Sequence, residues 1–269
     1  MYPGLASRSP KTAFLFECLR IEGSKTAVRN RLDSAVRRTR AWPPRTISDL
    51  AGHRTRKSRE VALTFDDGPD PHYTPRVLDM LEKNRVRATF FFCGSMAEKW
   101  PELVREAANQ GHVIGSHSWT HQRLSLDLPS TDIRRELDET HELLEGITGA
   151  RIVLFRPPYG QHSPRLLAEL KERKLVPVLW SAWGKDWTSA SGAEVAATVL
   201  RSTTRNSIVL LHDGTVNLRL ADDASLVRGS REGMIDGLTI ILDRLRRRCL
   251  NPVALDYANF AHTVGEEDG

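Results

Sequence analysis

Long apolar runs are missing from this 269-residue chain. No stretch approaches the roughly 20 residues that a helix needs to span a bilayer, so no transmembrane segment is expected. The first apolar cluster, Ala13-Phe14-Leu15-Phe16, is broken by Glu17 and followed by no small-residue cleavage site, which leaves no legible secretory leader. Cysteine is scarce as well. Cys18, Cys93 and Cys249 form an odd set without metal-binding spacing, which argues against a disulfide framework and suits free thiols in a reducing compartment. The expectation is a cytoplasmic protein. Aromatics make up only 7% of the chain, and none is interleaved with its basic N-terminal residues as base stacking would require, so no nucleic-acid partner is expected.

What is present is enough apolar side chain, 40% of residues, to bury the core of one large domain. Charge divides the chain unevenly. Residues 1–58 hold thirteen Lys or Arg against four Asp or Glu, a net +9, which leaves the remainder at −4 against a total of +5. The chain therefore divides into a basic N-terminal extension (1–58), one large domain (59–255) and a C-terminal tail (256–269). The extension, with Arg29, Arg31, Arg37, Arg38, Arg40, Arg54, Arg56 and Lys57, is either a solvated or packing segment or one drawn weakly to acidic surfaces.

Five short segments carry the chemistry, each at the end of a β-rich run. Val61-Ala62-Leu63 leads into Thr64-Phe65-Asp66-Asp67-Gly68-Pro69, where Gly and Pro stop the strand beside two adjacent carboxylates. Such neighbours repel unless a cation lies near, so one suits a metal and the other a proton. Alone, the segment is also an ordinary solvated turn. In His117-Ser118-Trp119-Thr120-His121 the two imidazoles are four apart, a spacing that puts both on one face of a helical turn. With Asp67 they make three ligands and leave a position open, the mark of a catalytic rather than a structural metal site. Alone, they are two of nine histidines.

Arg156-Pro157-Pro158-Tyr159-Gly160 follows the run Ile152-Val153-Leu154-Phe155, and its paired prolines stiffen a turn that presents a guanidinium suited to a carboxylate. Asp186-Trp187 follows Val176 to Trp180, and Leu210-Leu211-His212-Asp213-Gly214 follows Ser207-Ile208-Val209. Between these lie segments of helical period at residues 74–83, 101–109, 131–144, 163–171 and 231–247. Thr131-Asp132, with Glu136 following, reads as a helix start. Strands alternating with helices predict parallel βα units, whose strand ends gather around one crevice.

With these five segments in this order, from about Arg59 to Val253, the chain resembles the polysaccharide deacetylases with a NodB-type domain, carbohydrate esterase family 4. The resemblance implies an α/β fold, a deformed (β/α) barrel with fewer than eight repeats, and metal-dependent removal of acetyl groups from sugars. It implies Asp66 as general base and Asp67, His117 and His121 as ligands of one divalent metal, zinc first, with cobalt, manganese or nickel as alternatives. Arg156 would orient Asp66, the Tyr159 N–H would support the oxyanion, and His212, aligned by Asp186, would protonate the leaving amine. Trp187 and Leu210 would receive the acetyl methyl. The chain departs from the family at Trp183, where many members carry an acid. The substrate expected is an N-acetylated sugar such as a chitooligosaccharide, a peptidoglycan-like glycan or another N-acetylglucosamine glycoside. The alternatives are an O-acetyl esterase acting on xylan or another glycan, and a carbohydrate-binding protein without turnover.

Overall fold

A computed structural model describes residues 47–48, 50, 58–124, 128–188, 190–215 and 230–255. The basic residues numbered 29 to 57 above, Cys18, residues 216–229 and the 256–269 tail lie outside them.

Period-two alternation builds the central sheet. In β1 (Glu60–Asp66), Val61, Leu63 and Phe65 point to one side and Ala62 to the other, and the second face also carries Thr64 and Asp66. β2 (Thr89–Phe92) divides likewise, Phe90 and Phe92 outward against helices and Phe91 inward. Along the chain follow β3 (Val113–Ser116), β4 (Leu154–Phe155), β5 (Val176–Pro177), β6 (Ala182–Trp183), β7 (Ile208–His212) and β8 (Asn251–Val253). All pairs are parallel, in the order β5-β4-β3-β2-β1-β7-β6, with β8 pairing the start of β1. The two ends of this sheet, β5 and β6, are joined by residues 178–181 alone, with no helix between them. The result is the expected deformed barrel.

Helices cover the outside: α1 (Thr74–Lys83), α2 (Gly94–Ala97), α3 (Pro101–Asn109), α4 (Ser130–Thr148), α5 (Pro164–Glu172), α6 (Gly192–Ser202) and α7 (Glu232–Arg247). Outward strand residues pack with Leu78, Val104, Val195 and Leu238 in the main core, and a second layer joins Phe155 to Leu137 and Leu166. The barrel interior is apolar: Ala62, Phe91, Val178, Ile208 and Leu210 pack there with Ile47 and Leu50. Ile47 and Leu50 belong to the stretch read as extension, and Ile47 forms a parallel bridge with Val178.

Helix ends follow local chemistry. Ser163 accepts from the Leu166 N–H, and α6 opens with a capping box of Ser191 and Glu194 that the helical-period reading passed over. α4 starts at Ser130 without a side-chain cap and runs past Leu144 to Gly149, whose φ of 67° ends it. The strands expected at 152–155 and 176–180 are shorter than their apolar runs. Pro177 has no N–H, and the carbonyls of Val178 and Leu179 accept from the Arg156 guanidinium at 3.3 and 3.1 Å rather than from a ladder partner.

Candidate active site and metal centre

Because every strand runs the same way, the segments that follow them meet at one end of the barrel. Asp66 and His212 are register partners on β1 and β7, so their side chains share the inner face, as do Thr64 and Leu210 one step below. A Cβ at Gly214 would collide with the Asp67 carbonyl, and one at Gly68 would sit 2.6 Å from Asp213 Oδ2. Glycine in both turns is what lets the first and fifth segments touch.

Arg156 is fully buried and nearly saturated. Its Nη1 donates to Asp66 Oδ1 and to Thr64 Oγ1, each at 2.7 Å, and its Nε and Nη2 hold the two carbonyls named above. The guanidinium lies 4.2 Å over the Phe91 ring. Asp66 is thereby fixed through one oxygen, while its other oxygen lies 3.7 Å from His117 Nε2.

The two histidines converge, though not on a helix. Residues 117–121 form a loop with Ser118 and His121 at φ of 66° and 61°, and the rings meet edge-on with centroids 4.8 Å apart. Left-handed backbone replaces the predicted helical turn. His117 Nδ1–H donates to the Arg156 carbonyl at 2.6 Å, which leaves Nε2 as the lone-pair nitrogen facing the pocket. Asp67 Oδ1 lies 3.5 Å from that nitrogen and 3.2 Å from His121 Nε2.

The donor set fits a divalent cation. One atom from each of Asp67, His117 and His121 lies within 4.8 Å of the others, and all three residues are buried. Burial would raise the Asp67 pKa, but His121, His117 and His212 hold it far below the ordinary carboxylate range. His121 is also lowered, to about 3, because burial and the neighbouring His117 and His212 outweigh Asp67. An ionised carboxylate beside a neutral imidazole is what a metal ligand set requires.

Across the pocket, Asp186 grips His212 twice, accepting from its Nδ1–H at 2.9 Å and from its backbone N–H at 2.8 Å. Burial depresses the His212 pKa, but Asp186 and Asp67 overcome it and the net movement is upward. The Trp187 ring stands perpendicular to His212 at 5.4 Å and tilts against Trp183 at 5.2 Å. Leu210 is buried among the interior apolar residues. Tyr159 has φ of 59°, and its ring is half exposed, edge-on to His121 at 4.7 Å and beneath the Arg123 guanidinium at 4.3 Å.

Positive φ separates the site from the scaffold. Arg85, Lys174 and Cys249 directly follow helices, the usual place for left-handed residues, and Asn206 sits in the turn before β7, whereas Asp67, Ser118, His121, Tyr159 and Lys185 fall in the loops that carry the site residues.

Three residues outside the sequence reading of the site belong to it. Glu136 on α4 accepts from the Trp119 and Thr120 N–H groups, the Thr120 hydroxyl and the Gln122 amide, at 2.7 to 2.9 Å, and so holds the histidine loop. Its signal was available: Glu136 falls on the Ile133, Leu137, Leu144 stripe, where a charge needs a reason. Arg231, 1% exposed, reaches Asp67 Oδ2 at 3.5 Å from the other side. Asp213 takes the Thr74 hydroxyl at 2.6 Å, and burial with Asp70 and Asp67 nearby pushes its pKa up to about 8.

A family model described as polysaccharide deacetylase matches residues 53–178. Over 189 residues the chain is 35% identical to a peptidoglycan-N-acetylglucosamine deacetylase of Bacillus cereus, covering 70% of this chain but only 64% of that protein's length. Over 206 residues it is 32% identical to a chitooligosaccharide deacetylase of Azorhizobium caulinodans, covering 76% of this chain and 96% of that protein. The solved structure of the Bc1960 peptidoglycan N-acetylglucosamine deacetylase superposes with a TM-score of 0.69 at 32% identity, covering 78% of this chain and 89% of that one. A relative matched over nearly its whole length and a shared barrel agree with the site built above: this chain belongs to the polysaccharide deacetylase family.

Proposed function

We propose that this protein is a metal-dependent hydrolase that removes N-acetyl groups from N-acetylglucosamine-containing saccharides, with chitooligosaccharides as the first substrate to test. The observation that carries the reading is Asp66, pinned by Arg156 through one oxygen while the other faces the Asp67, His117, His121 cluster.

An amide resists hydrolysis because its carbonyl is a poor electrophile, water a poor nucleophile and an amine a poor leaving group. Asp67, His117 and His121 would hold a divalent ion, zinc or in its place cobalt, manganese or nickel, which would supply Lewis acidity to the carbonyl and the attacking water. Asp66 takes the proton from the attacking water, and Arg156 keeps its carboxylate aimed. His212 gives a proton to the departing nitrogen, and Asp186 keeps that imidazole charged and aligned despite its burial. The Tyr159 N–H supports the developing oxyanion. Trp187 and Leu210 receive the acetyl methyl. Base and acid together account for about 10² to 10⁴ in rate, and the oxyanion donor for a further 10² to 10³.

A reducing, cytoplasmic setting is proposed with this activity, supported by free thiols at buried Cys93 and exposed Cys249. Weak contact with acidic surfaces remains the proposed use of the basic first 58 residues.

The test is acetate release from N-acetylglucosamine oligomers and from acetylated xylan, using metal-stripped protein, protein with zinc or cobalt restored, and Asp66→Asn. Asparagine is the cleaner variant because, although both changes remove the charge, its amide oxygen can still accept from Arg156 Nη1, whereas alanine would leave that buried N–H without its acceptor, at a cost of about 1 to 3 kcal/mol. Metal-restored release from N-acetyl substrates, lost by 10² or more in Asp66→Asn, is expected. Release confined to xylan would make the protein an O-acetyl esterase, and full activity in Asp66→Asn would sink the mechanism.

A further inference from the structure

The pocket holds a second buried guanidinium, one that none of the five sequence segments supplies. Arg231 immediately precedes α7; its Nε donates to the Gly214 carbonyl at 2.7 Å and its Nη1 points to the Asp186 carbonyl at 3.5 Å. Its Nη2 lies 3.5 Å from Asp67 Oδ2. The two oxygens of Asp67 therefore face different partners, since Oδ1 is the one near the Nε2 atoms of His117 and His121. We propose that Arg231 is a positioning residue that commits Asp67 to ligation through one oxygen, keeping two neighbouring metal positions open for substrate and water. The inference rests on the metal-dependent reading above.

A carboxylate beside a divalent cation can offer one oxygen or both. A guanidinium on the second oxygen reserves it, and Arg231 cannot follow a rotating Asp67, because its planar fork is anchored on two backbone carbonyls. A lysine would keep the charge and lose the anchoring. Removing Arg231 affects the metal in opposite senses. The ligand loses its orientation, but a repelling cation disappears and the freed Oδ2 can add a bond. The second and third effects act directly on the ion, so metal affinity holds or rises. The loss appears instead in the capacity to take a two-oxygen ligand.

The full-length protein, stripped and reloaded with Co²⁺, is titrated with acetohydroxamate, whose two oxygens need two adjacent positions, and binding is followed by the cobalt absorption. In Arg231→Met, cobalt affinity is expected to equal or exceed that of the wild type. Acetohydroxamate affinity, and acetate release from tetra-N-acetylchitotetraose, are expected to fall about 10-fold or more. Arg231→Lys should lie between. Wild-type acetohydroxamate affinity in Arg231→Met would overturn the proposal. A 10-fold loss of cobalt affinity would overturn it too, making Arg231 a general support of the site. Should Arg231→Met fail to fold, Arg231→Gln and Arg231→Lys decide through the same titrations. Neither titration needs turnover, so a wild type that binds cobalt and acetohydroxamate but releases no acetate defeats the deacetylase reading and leaves this inference standing. A wild type that binds no cobalt defeats both.

Discussion

The two sides of the pocket put one kind of side chain to opposite uses. On the ligand side, burial with His117 and His212 close by takes His121 down to about 3, against the pull of Asp67. On the other side His212 is also buried, yet the Asp186 carboxylate at 2.9 Å carries its pKa above the ordinary histidine value. A neutral imidazole offers a lone pair, and a protonated one offers a proton. In the proposed mechanism the pocket thus separates cation binding from acid chemistry, because Asp186 outweighs burial at His212 while burial outweighs Asp67 at His121.

Removing one histidine from each side gives the largest effects and the clearest separation. His121→Ala should lose both metal and turnover, with acetate release at background and the metal content of the dialysed protein reduced to a small fraction. His212→Gln should keep its metal and lose about 10² to 10⁴ in kcat. Metal content and kcat measured on both proteins check the division; equal metal loss in the two would erase it.

Asp186→Asn tests whether that carboxylate is what keeps His212 charged. Without it burial dominates and the His212 pKa falls. The acid is active protonated, so the alkaline limb of the kcat profile should move to lower pH, with about tenfold less protonated acid for each unit moved. The fold should report the same pair. A histidine with a raised folded pKa adds stability that is complete below about 6.5, its unfolded value, and is lost as pH rises through the folded pKa. The melting-temperature gap between wild type and Asp186→Asn should therefore narrow as pH rises. An unmoved kcat limb would show that His212 is not the group titrating there.

Much of this was legible in the sequence because parallel βα units turn strand ends into neighbours: Asp66 and His212, far apart in the chain, are register partners. The helices at 74–83 and 101–109 follow from apolar period alone. What was hidden depends on geometry that spacing does not encode. The histidine pair resembled a helical turn, but two left-handed residues in a loop bring the rings together. The 176–180 run looked like a strand until Arg156 claimed its carbonyls. Arg231 is one of many arginines on a chain with 39 Lys and Arg, and only the approach of α7 to the first and fifth segments distinguishes it.

Glu136 gives the smallest effect and the sharpest test of whether the two sides are independent. Its Oε2 accepts from the Trp119 and Thr120 N–H groups, and its Oε1 accepts from the Thr120 hydroxyl and the Gln122 amide. In Glu136→Gln an amide NH₂ must replace one of these oxygens. It will take the Oε1 place, because a hydroxyl can turn to accept and the Gln122 side chain can swing aside, whereas two fixed backbone N–H groups can do neither. The cost is the charge and about one strong hydrogen bond, about 1 to 3 kcal/mol, visible as a lower melting temperature. The loop that aims His121 is loosened, so metal affinity should fall about 10-fold, and excess metal should restore turnover. Among the described residues the Glu136 carboxylate bonds to residues 119, 120 and 122 and not to the Asp186 side, so in the metal-saturated variant the alkaline limb assigned to His212 should stay where it is in the wild type. A limb that moves with Glu136→Gln would mean that the histidine loop and the acid are coupled, and that the pocket works as one unit rather than two.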